Sequence, residues 1–264
     1  MIKKLILIIA LLLSLGANAQ TSFPYKRPEL LLGKTVTVMP IGQYDFSQLY
    51  QNFYAGKSLS AYYKGKREIP KEMLEGRKFN VAAVEQNRTE KDYEDYWITL
   101  KDTASGETLY YLYSKSRKKR GEYYFEVEGG LDLPADFYCD YIEKMEMPDG
   151  TNRYTLNQSV FEVIRSGPKA KPYYTLSLQF FKDTSLKLGP LTIVMEDGSK
   201  LVIKGTGTYV VSGRSYVGGE VTAKQLEALS KSKPVSFEFD GKSQLLLIGG
   251  DILQKGSACL VTLD

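Results

Sequence analysis

Histidine is absent from this sequence of 264 residues, which also contains only two cysteines and one tryptophan. Without histidine, the chain cannot form a Ser-His-Asp or Cys-His catalytic site, a histidine-ligated zinc or haem site, or an imidazole pH switch. The two cysteines lie 120 positions apart, so they form neither a four-thiolate metal site nor a Cys-x-x-Cys redox centre. We therefore expect no bound cofactor.

The sequence also lacks an excess of charge of one sign. It has 35 Lys and Arg residues against 31 Asp and Glu residues, a formal net charge of +4. This near-balance gives no sign of the basic surface typical of nucleic-acid-binding proteins. Three triplets that begin at Gly33, Gly56 and Gly241 resemble the end of a P-loop, but each lacks the required glycine five positions earlier. Neither nucleic acid nor a nucleotide is therefore an expected partner.

The first residues have the pattern of a secretory signal peptide. Two lysines precede an apolar run from Leu5 to Leu15, and Ala17-Asn18-Ala19 matches an A-x-A cleavage site. A buried core helix is the alternative interpretation, and no later stretch has the length of a membrane helix. We expect residues 1–19 to be removed. The mature chain, from Gln20, is then exported to the periplasm or the extracellular space and has no transmembrane segment.

Alternation of apolar and polar residues with a period of two dominates the rest of the sequence. Tyr96–Leu100 shows this pattern before a turn at Thr103–Gly106, and Asp-Gly pairs at Asp149, Asp197 and Asp240 are typical of tight hairpins. Many short strands joined by such turns predict a mainly β fold with antiparallel pairing. We expect a barrel-like N-terminal module and a sandwich-like C-terminal module with one short helix.

Helical patterns are rare in the sequence. Thr222 followed by Gln225 forms a capping-box pattern, which predicts a helix near Ala223–Lys231. The segment Pro134–Met145 fits either a helix or a strand that enters a hairpin. We favour a strand beyond Asp140.

A module boundary is predicted where Gly129-Gly130 and Leu133-Pro134 interrupt the strand pattern. We therefore assign residues 20–134 to the N-terminal module and residues 135–264 to the C-terminal module. The apolar residues in Cys259–Leu263 predict that the C-terminal module ends in a strand.

A short pattern occurs twice in the N-terminal module. Residues 31–38 and residues 74–81 both begin with leucine, have glycine at the third position and a base at the fourth, and then alternate. A glycine that opens a strand in both copies fits a sheet that the chain enters twice. Chance similarity is the alternative.

Part of the C-terminal module resembles a known group of proteins. The run from Ile142 to Gly150, then Tyr173–Leu178, Glu196–Gly198 and Thr222–Leu229, is similar to a domain of uncharacterised exported proteins of Bacteroidota. The resemblance covers about the second half of the chain. It implies export, but it implies no particular activity, ligand or functional residue.

The strongest run of charge consists of Arg117, Lys118, Lys119 and Arg120. It lies between two strand-like runs, so it is interpreted as an exposed hairpin loop. The functional hypothesis is that these four residues bind an anionic partner, such as lipopolysaccharide, an acidic glycan or an acidic protein surface.

Tyrosine is abundant, with 20 residues, and four adjacent pairs begin at Tyr62, Tyr110, Tyr123 and Tyr173. Neighbouring side chains of a strand face opposite sides, so each pair should place one ring inward and one outward. Outward rings favour contact with proteins or sugars, and we select Tyr110 and Tyr123 as candidate binding residues. The alternative is that most rings belong to the core.

Two further groups of residues are candidates for bonds to a metal or to each other. Asp132, Asp136 and Asp140 supply oxygen ligands of the kind that calcium prefers, but they have no EF-hand spacing, and solvated or ion-paired acids are the alternative. Cys139 and Cys259 can pair as a disulfide outside the cytoplasm. Otherwise they are two small buried apolar residues.

Taken together, these patterns favour an exported, non-catalytic binding or interaction module of the cell envelope, with a protein or glycan ligand. One alternative is a carboxylate-based hydrolase acting on glycans, because such an enzyme needs two acids and no histidine. A second alternative is a structural component of the envelope.

Overall fold

A computed structural model of the protein describes residues 21–41, 49–90, 93–115, 123–180, 187–246 and 249–263. The chain divides into two compact units between Leu133 and Pro134. Each unit is built on an antiparallel sheet, so the predicted mainly β fold is confirmed.

The N-terminal unit contains a six-stranded sheet in the order β3-β7-β6-β5-β1-β8, beside a short pair formed by β2 and β4. Its strands are β1 (Thr35–Val38), β2 (Leu49–Tyr50), β3 (Phe53–Tyr54), β4 (Ile69–Pro70), β5 (Lys78–Glu90), β6 (Tyr93–Asp102), β7 (Thr108–Ser114) and β8 (Phe125–Val127). The sheet is curled into a half-barrel, since the ring of Phe53 lies 5.9 Å from that of Phe125 although β3 and β8 are opposite edges of the sheet.

Alternation along each strand decides which side chains fill the half-barrel. On β7, Leu109, Tyr111 and Tyr113 are buried, whereas the residues between them are partly exposed. Tyr111 packs edge-on against Phe125 with 5.0 Å between the ring centroids, the arrangement that aromatic quadrupoles favour. Much of the tyrosine content of this unit is therefore core.

The two copies of the repeated sequence pattern lie side by side in this sheet. Gly33 precedes β1 with a φ of 75°, Gly76 precedes β5 with a φ of 74°, and the two strands pair antiparallel. The Gly33 N–H donates to the Val81 carbonyl at 3.0 Å, and the Gly76 N–H donates to the Val38 carbonyl at 2.9 Å. Because glycine adopts this left-handed conformation without steric cost, the repeat marks two points at which the chain turns into the same sheet.

The C-terminal unit contains one nine-stranded antiparallel sheet in the order β17-β16-β13-β14-β15-β12-β11-β10-β9. Its strands are β9 (Ile142–Glu146), β10 (Asn152–Gln158), β11 (Phe161–Ser166), β12 (Tyr173–Phe180), β13 (Leu188–Met195), β14 (Lys200–Val211), β15 (Arg214–Val221), β16 (Pro234–Phe239) and β17 (Lys242–Leu245). Its first strand follows a 3-10 helix at Phe137–Tyr141, so the prediction of a strand beyond Asp140 is confirmed.

Two α-helices occur in the described part of this unit, α1 (Ala223–Lys231) and α2 (Gly250–Thr262). The predicted capping box is present: the Thr222 hydroxyl accepts from the Gln225 N–H at 3.2 Å, and the Gln225 side chain accepts from the Thr222 N–H at 2.8 Å. The predicted bounds of α1 are therefore confirmed. Among the described residues, no helix combines the length and the apolar character needed to cross a membrane.

The prediction that the chain ends in a strand at Cys259–Leu263 is wrong, because α2 continues to Thr262. Short apolar runs fit a strand and a buried helix equally well. The glycine at position 256 also weakens the helical pattern of this segment in the sequence, because glycine has a low helix propensity. Its place is explained by packing: a Cβ at Gly256 would lie 2.6 Å from Cδ2 of Leu156 on β10.

The nine-stranded sheet curves around α2. This helix contacts β10 and β11 near one edge of the sheet and β16 near the other. The ring of Phe180 on β12 lies 6.0 Å from that of Phe237 on β16, although three strands separate them in the sheet. Gly207 and Gly218 are paired directly on β14 and β15, where the absence of side chains lets the strands bend.

Candidate functional site

The predicted basic site cannot be placed, because Arg117, Lys118, Lys119 and Arg120 lie outside the described residues. Their contact with an anionic partner stays a prediction. Tyr110, which the sequence analysis selected as an outward-facing binding tyrosine, is half-buried on β7. The ammonium group of Lys57 lies 5.7 Å from its ring centroid.

One member of each tyrosine pair is buried, as predicted, but the other member is fully exposed only at Tyr173. Tyr124 packs 5.1 Å from the ring of Tyr50, so the prediction of one outward ring in every pair is wrong. Tyr63, Tyr111 and Tyr174 are the buried members of three pairs.

In the fourth pair the buried member is Tyr123, which is 5% exposed and packs 5.5 Å from the ring of Phe125. This burial corrects the choice of Tyr123 as an outward binding residue, since Tyr123 precedes β8 and its ring contacts Phe23, Tyr113 and Phe125.

The structure does not bring Asp132, Asp136 and Asp140 together as a metal site. Asp132 belongs to the N-terminal unit and pairs with Lys34, while Asp136 and Asp140 lie at the start and within the 3-10 helix of the C-terminal unit. Within the described residues, no group of three or more acids or cysteines is placed to hold a metal ion.

Cys139 and Cys259 are joined by a disulfide, which is one of the two alternatives left open by the sequence. The bond ties the 3-10 helix at Phe137–Tyr141 to the last turns of α2. Both half-cystines belong to the C-terminal unit, and their separation of 120 residues closes a long loop. In the chain-entropy account, such a loop stabilises the folded state by about 5 kcal/mol.

A charged cluster in the N-terminal unit has the composition of an active site but not its chemistry. The Arg77 guanidinium donates to Asp102 Oδ2 at 2.9 Å, to Glu107 Oε2 at 2.8 Å and to the Tyr63 hydroxyl at 2.9 Å. Burial raises the pKa of both carboxyl groups, but their hydrogen bonds outweigh it and lower each pKa below its ordinary value. Two carboxylates that one arginine holds ionised are poor proton donors near neutral pH.

An open depression of about 490 Å³ lies in the C-terminal unit between β13 and the β16–β17 hairpin. Two carboxylates line it, Glu238 and Asp240. Lys200 lies 3.5 Å from Glu238, and Lys187 forms an ion pair with Asp240 that lowers the pKa of that carboxyl. A glycoside hydrolase requires one carboxyl group with a raised pKa as proton donor. The ion pair with Lys187 therefore works against a role of Asp240 as that proton donor.

The β14–β15 hairpin ends in an apolar surface that the sequence analysis missed. We call this the hairpin-end surface and define it by Leu188, Tyr209, Val210, Val211 and Tyr216. Val210 lies on the opposite face of β14 from the other four, since neighbouring side chains of a strand alternate. Leu188 is opposite Gly207, and Tyr209 is opposite Tyr216. The two tyrosine rings stack 5.6 Å apart with 17° between their planes.

Two glycines, Gly207 and Gly218, lie directly beneath the larger side chains of this surface. A Cβ at Gly207 would lie 3.0 Å from Cδ2 of Leu188, so the leucine covers that glycine. The Tyr209 hydroxyl donates to the Ser177 hydroxyl at 2.6 Å, and Ser177 is the direct partner of Gly218. The Tyr209 ring therefore crosses β15 at Gly218, where a Cβ would lie 2.8 Å from the Ser177 oxygen.

Exposure distinguishes this surface from the rest of the sheet. Leu188 is 90% exposed, Val210 is 60% exposed and Val211 is 52% exposed. The turn between the strands places Ser212 at a φ of 50° and Gly213 at a φ of 74°, the conformation of a two-residue hairpin. A sequence signal existed, because the adjacent valines before Ser212-Gly213 break the alternation of a strand with one buried face.

Comparison of the chain with protein-family models, with curated proteins and with solved structures finds no match.

Proposed function

We propose that the protein is an exported, non-catalytic binding module of the cell envelope, and that the hairpin-end surface binds a protein partner. The observation that carries this proposal is that both faces of the hairpin end expose aliphatic side chains. Leu188 and Val211 are exposed on the face that holds the two stacked tyrosines, and Val210 is exposed on the other face. Grouped exposed apolar residues are typical of interaction sites, whereas isolated ones are ordinary.

The composition of the surface favours a protein over a glycan. Glycan recognition uses aromatic faces and many hydrogen-bonding groups, and the stack of Tyr209 on Tyr216 covers one face of each ring. The Tyr209 hydroxyl already donates to Ser177. The remaining exposed area is aliphatic, and Arg214 is the single charged residue between Tyr209 and Tyr216. Aliphatic and tyrosine side chains around one arginine suit the apolar centre of a protein interface.

The proposed absence of catalysis is supported by the pairing of the candidate carboxylates with basic side chains. Asp102 and Glu107 are held ionised by Arg77, and the carboxylates in the C-terminal depression each face a lysine. A carboxylate that is already neutralised by a base is a weak proton donor and a weak nucleophile.

Export is proposed on two grounds. The basic and apolar segment before Gln20 has the pattern of a signal peptide. In addition, Cys139 and Cys259 form a disulfide, a bond that persists in oxidising compartments and is rare in the reducing cytoplasm. The resemblance of the second half to exported proteins of Bacteroidota stays a prediction.

The proposal is tested by measuring how the purified chain from Gln20 binds to envelope fractions of the source organism. In the double variant Val210→Ser and Val211→Ser, two exposed apolar contacts are lost, each worth about 1 kcal/mol in an interface. We expect saturable binding by the wild type and binding at least tenfold weaker by the double variant. Val202→Ser is the matched control, because Val202 is 47% exposed on the same strand but lies outside the surface.

Equal binding by the wild type and the double variant would contradict the proposed surface. Sedimentation velocity of the purified chain distinguishes binding to a different protein from the alternative of a structural component that self-assembles. A dimer that dissociates in the double variant would show that the hairpin-end surface serves self-assembly rather than a different protein.

A further inference from the structure

A buried cation that has no counter-ion among the described residues lies on the inner face of the C-terminal sheet. Arg165 is on β11, one residue before the strand ends, and shares its face with the buried residues Phe161 and Val163. It is 7% exposed, and its Nε is inaccessible and has no hydrogen-bond acceptor. No carboxylate of the described residues pairs with its guanidinium. An unpaired charge removed from water destabilises the fold, so this arrangement requires a reason.

The neighbours of Arg165 compensate its charge only in part. Tyr154 on β10 and Tyr174 on β12 lie directly opposite it on either side, and both are buried. The guanidinium carbon lies 5.2 Å from the ring centroid of Tyr154, which is a cation–π contact. A contact with a ring face provides no acceptor for the guanidinium N–H donors. The Tyr174 hydroxyl likewise has no hydrogen-bond partner in the described part of the chain.

The rim of the sheet next to Arg165 adds positive charge. The loop from Ser166 to Pro172 follows directly and carries the exposed Lys171. The Lys171 N–H donates to the Pro168 carbonyl at 2.9 Å and closes a turn. An exposed lysine beside a recessed arginine attracts anions toward it.

We propose that Arg165 anchors a site for an oxyanion, the carboxylate or phosphate group of a ligand, at the rim formed by β10, β11 and β12. The planar guanidinium matches two oxygens of such a group, and the Tyr174 hydroxyl offers a further donor one strand away. The ligand would restore the missing counter-charge. This site is separate from the hairpin-end surface and does not depend on the proposed function.

The experiment follows the thermal unfolding of the full mature chain by calorimetry while sodium chloride is replaced by sodium phosphate or sodium acetate at constant ionic strength. A ligand that binds the folded state raises the midpoint in a saturable way. We expect a rise with at least one of the two anions. In Arg165→Met the apparent affinity for that anion should fall at least tenfold. Arg153→Met is the matched control, because it removes the same charge from β10, and it should retain the rise.

The anion that produces the rise identifies the chemistry, phosphate or carboxylate. The proposal is overturned if neither anion raises the midpoint above that in chloride, or if Arg165→Met keeps the full response. In chloride alone, Arg165→Met should be at least as stable as the wild type, because an unpaired buried charge is removed. If that variant does not fold, Arg165→Lys takes its place. It keeps the charge but loses the planar fork, and an unchanged anion response in it would equally refute the proposal.

Discussion

Replacing Asp102 by asparagine is expected to destabilise the N-terminal unit strongly although the size of the side chain is unchanged. Asp102 is 7% exposed. Its Oδ1 accepts from the Ala104 N–H at 2.9 Å and the Ser105 N–H at 2.7 Å, and its Oδ2 accepts from Arg77 Nε at 2.9 Å. Asparagine removes the charge that faces Arg77 and turns one acceptor into a donor.

The magnitude follows from the pKa of the carboxyl group. Burial raises the pKa of Asp102, but hydrogen bonds from Ser105, Arg77 and Ala104 outweigh it and lower the pKa from 3.8 to about 2. Each pKa unit corresponds to about 1.4 kcal/mol, so ionised Asp102 contributes about 2 kcal/mol to the free energy of unfolding. Because the pKa is lower in the folded state, this stability is complete above about pH 4 and is lost as the pH falls toward 2.

The assay uses the single tryptophan of the sequence. Trp97 is 4% exposed on β6, so its fluorescence reports on unfolding of the N-terminal unit and avoids the two-unit complication of whole-chain probes. Urea unfolding at pH 7 should give a free energy about 2 kcal/mol lower for Asp102→Asn than for the wild type. The difference between the two proteins should vanish near pH 2.

Glu128→Gln is the control, because Glu128 forms an exposed ion pair with Lys78 on the same sheet. An exposed pair contributes less than about 1 kcal/mol. If Asp102→Asn is no more destabilised than Glu128→Gln at pH 7, or if the loss caused by Asp102→Asn is the same at pH 2, the account of the Arg77 cluster is refuted.

Two further predictions concern the C-terminal unit. Replacing Cys139 and Cys259 together by serine should lower its free energy of unfolding by up to about 5 kcal/mol, measured by calorimetry, and reductant should destabilise the wild type but not this variant. Gly218→Ala should cost about 1–3 kcal/mol in urea unfolding followed by circular dichroism, because its Cβ would lie 2.5 Å from the Leu176 carbonyl oxygen. Gly56→Ala, whose nearest neighbour would lie 3.7 Å away, should change stability far less, and equal losses in the two variants would contradict the packing argument.

Local signals in the sequence predicted the elements whose chemistry is local. The Thr222 capping box fixes the start of α1 because both of its hydrogen bonds join residues three positions apart. Asp197 ends a strand for the same reason, since its carboxylate accepts from the Ser199 N–H at 2.9 Å and closes the turn. The repeat around Gly33 and Gly76 was also readable, because a left-handed glycine is needed before each of the strands β1 and β5.

Features set by distant residues could not be read in this way. The place of Gly256 inside α2 is explained by its packing against Leu156, a residue 100 positions earlier. Tyr123 is buried because its ring packs against Phe23, 100 positions earlier, as well as against Tyr113 and Phe125. The adjacent valines at the hairpin end were a local signal for the hairpin-end surface, but the pairing of Gly207 with Gly218 beneath its larger side chains has no local pattern in the sequence.

The most direct test of the account is photo-cross-linking in cells of the source organism with p-benzoylphenylalanine at Val210. The control position is Lys144, which is exposed on the edge strand β9 of the same unit. If the hairpin-end surface binds a protein partner in the envelope, Val210 should give a discrete light-dependent adduct with an envelope protein and Lys144 should not. No adduct at Val210, or the same set of adducts at both positions, would contradict the central claim.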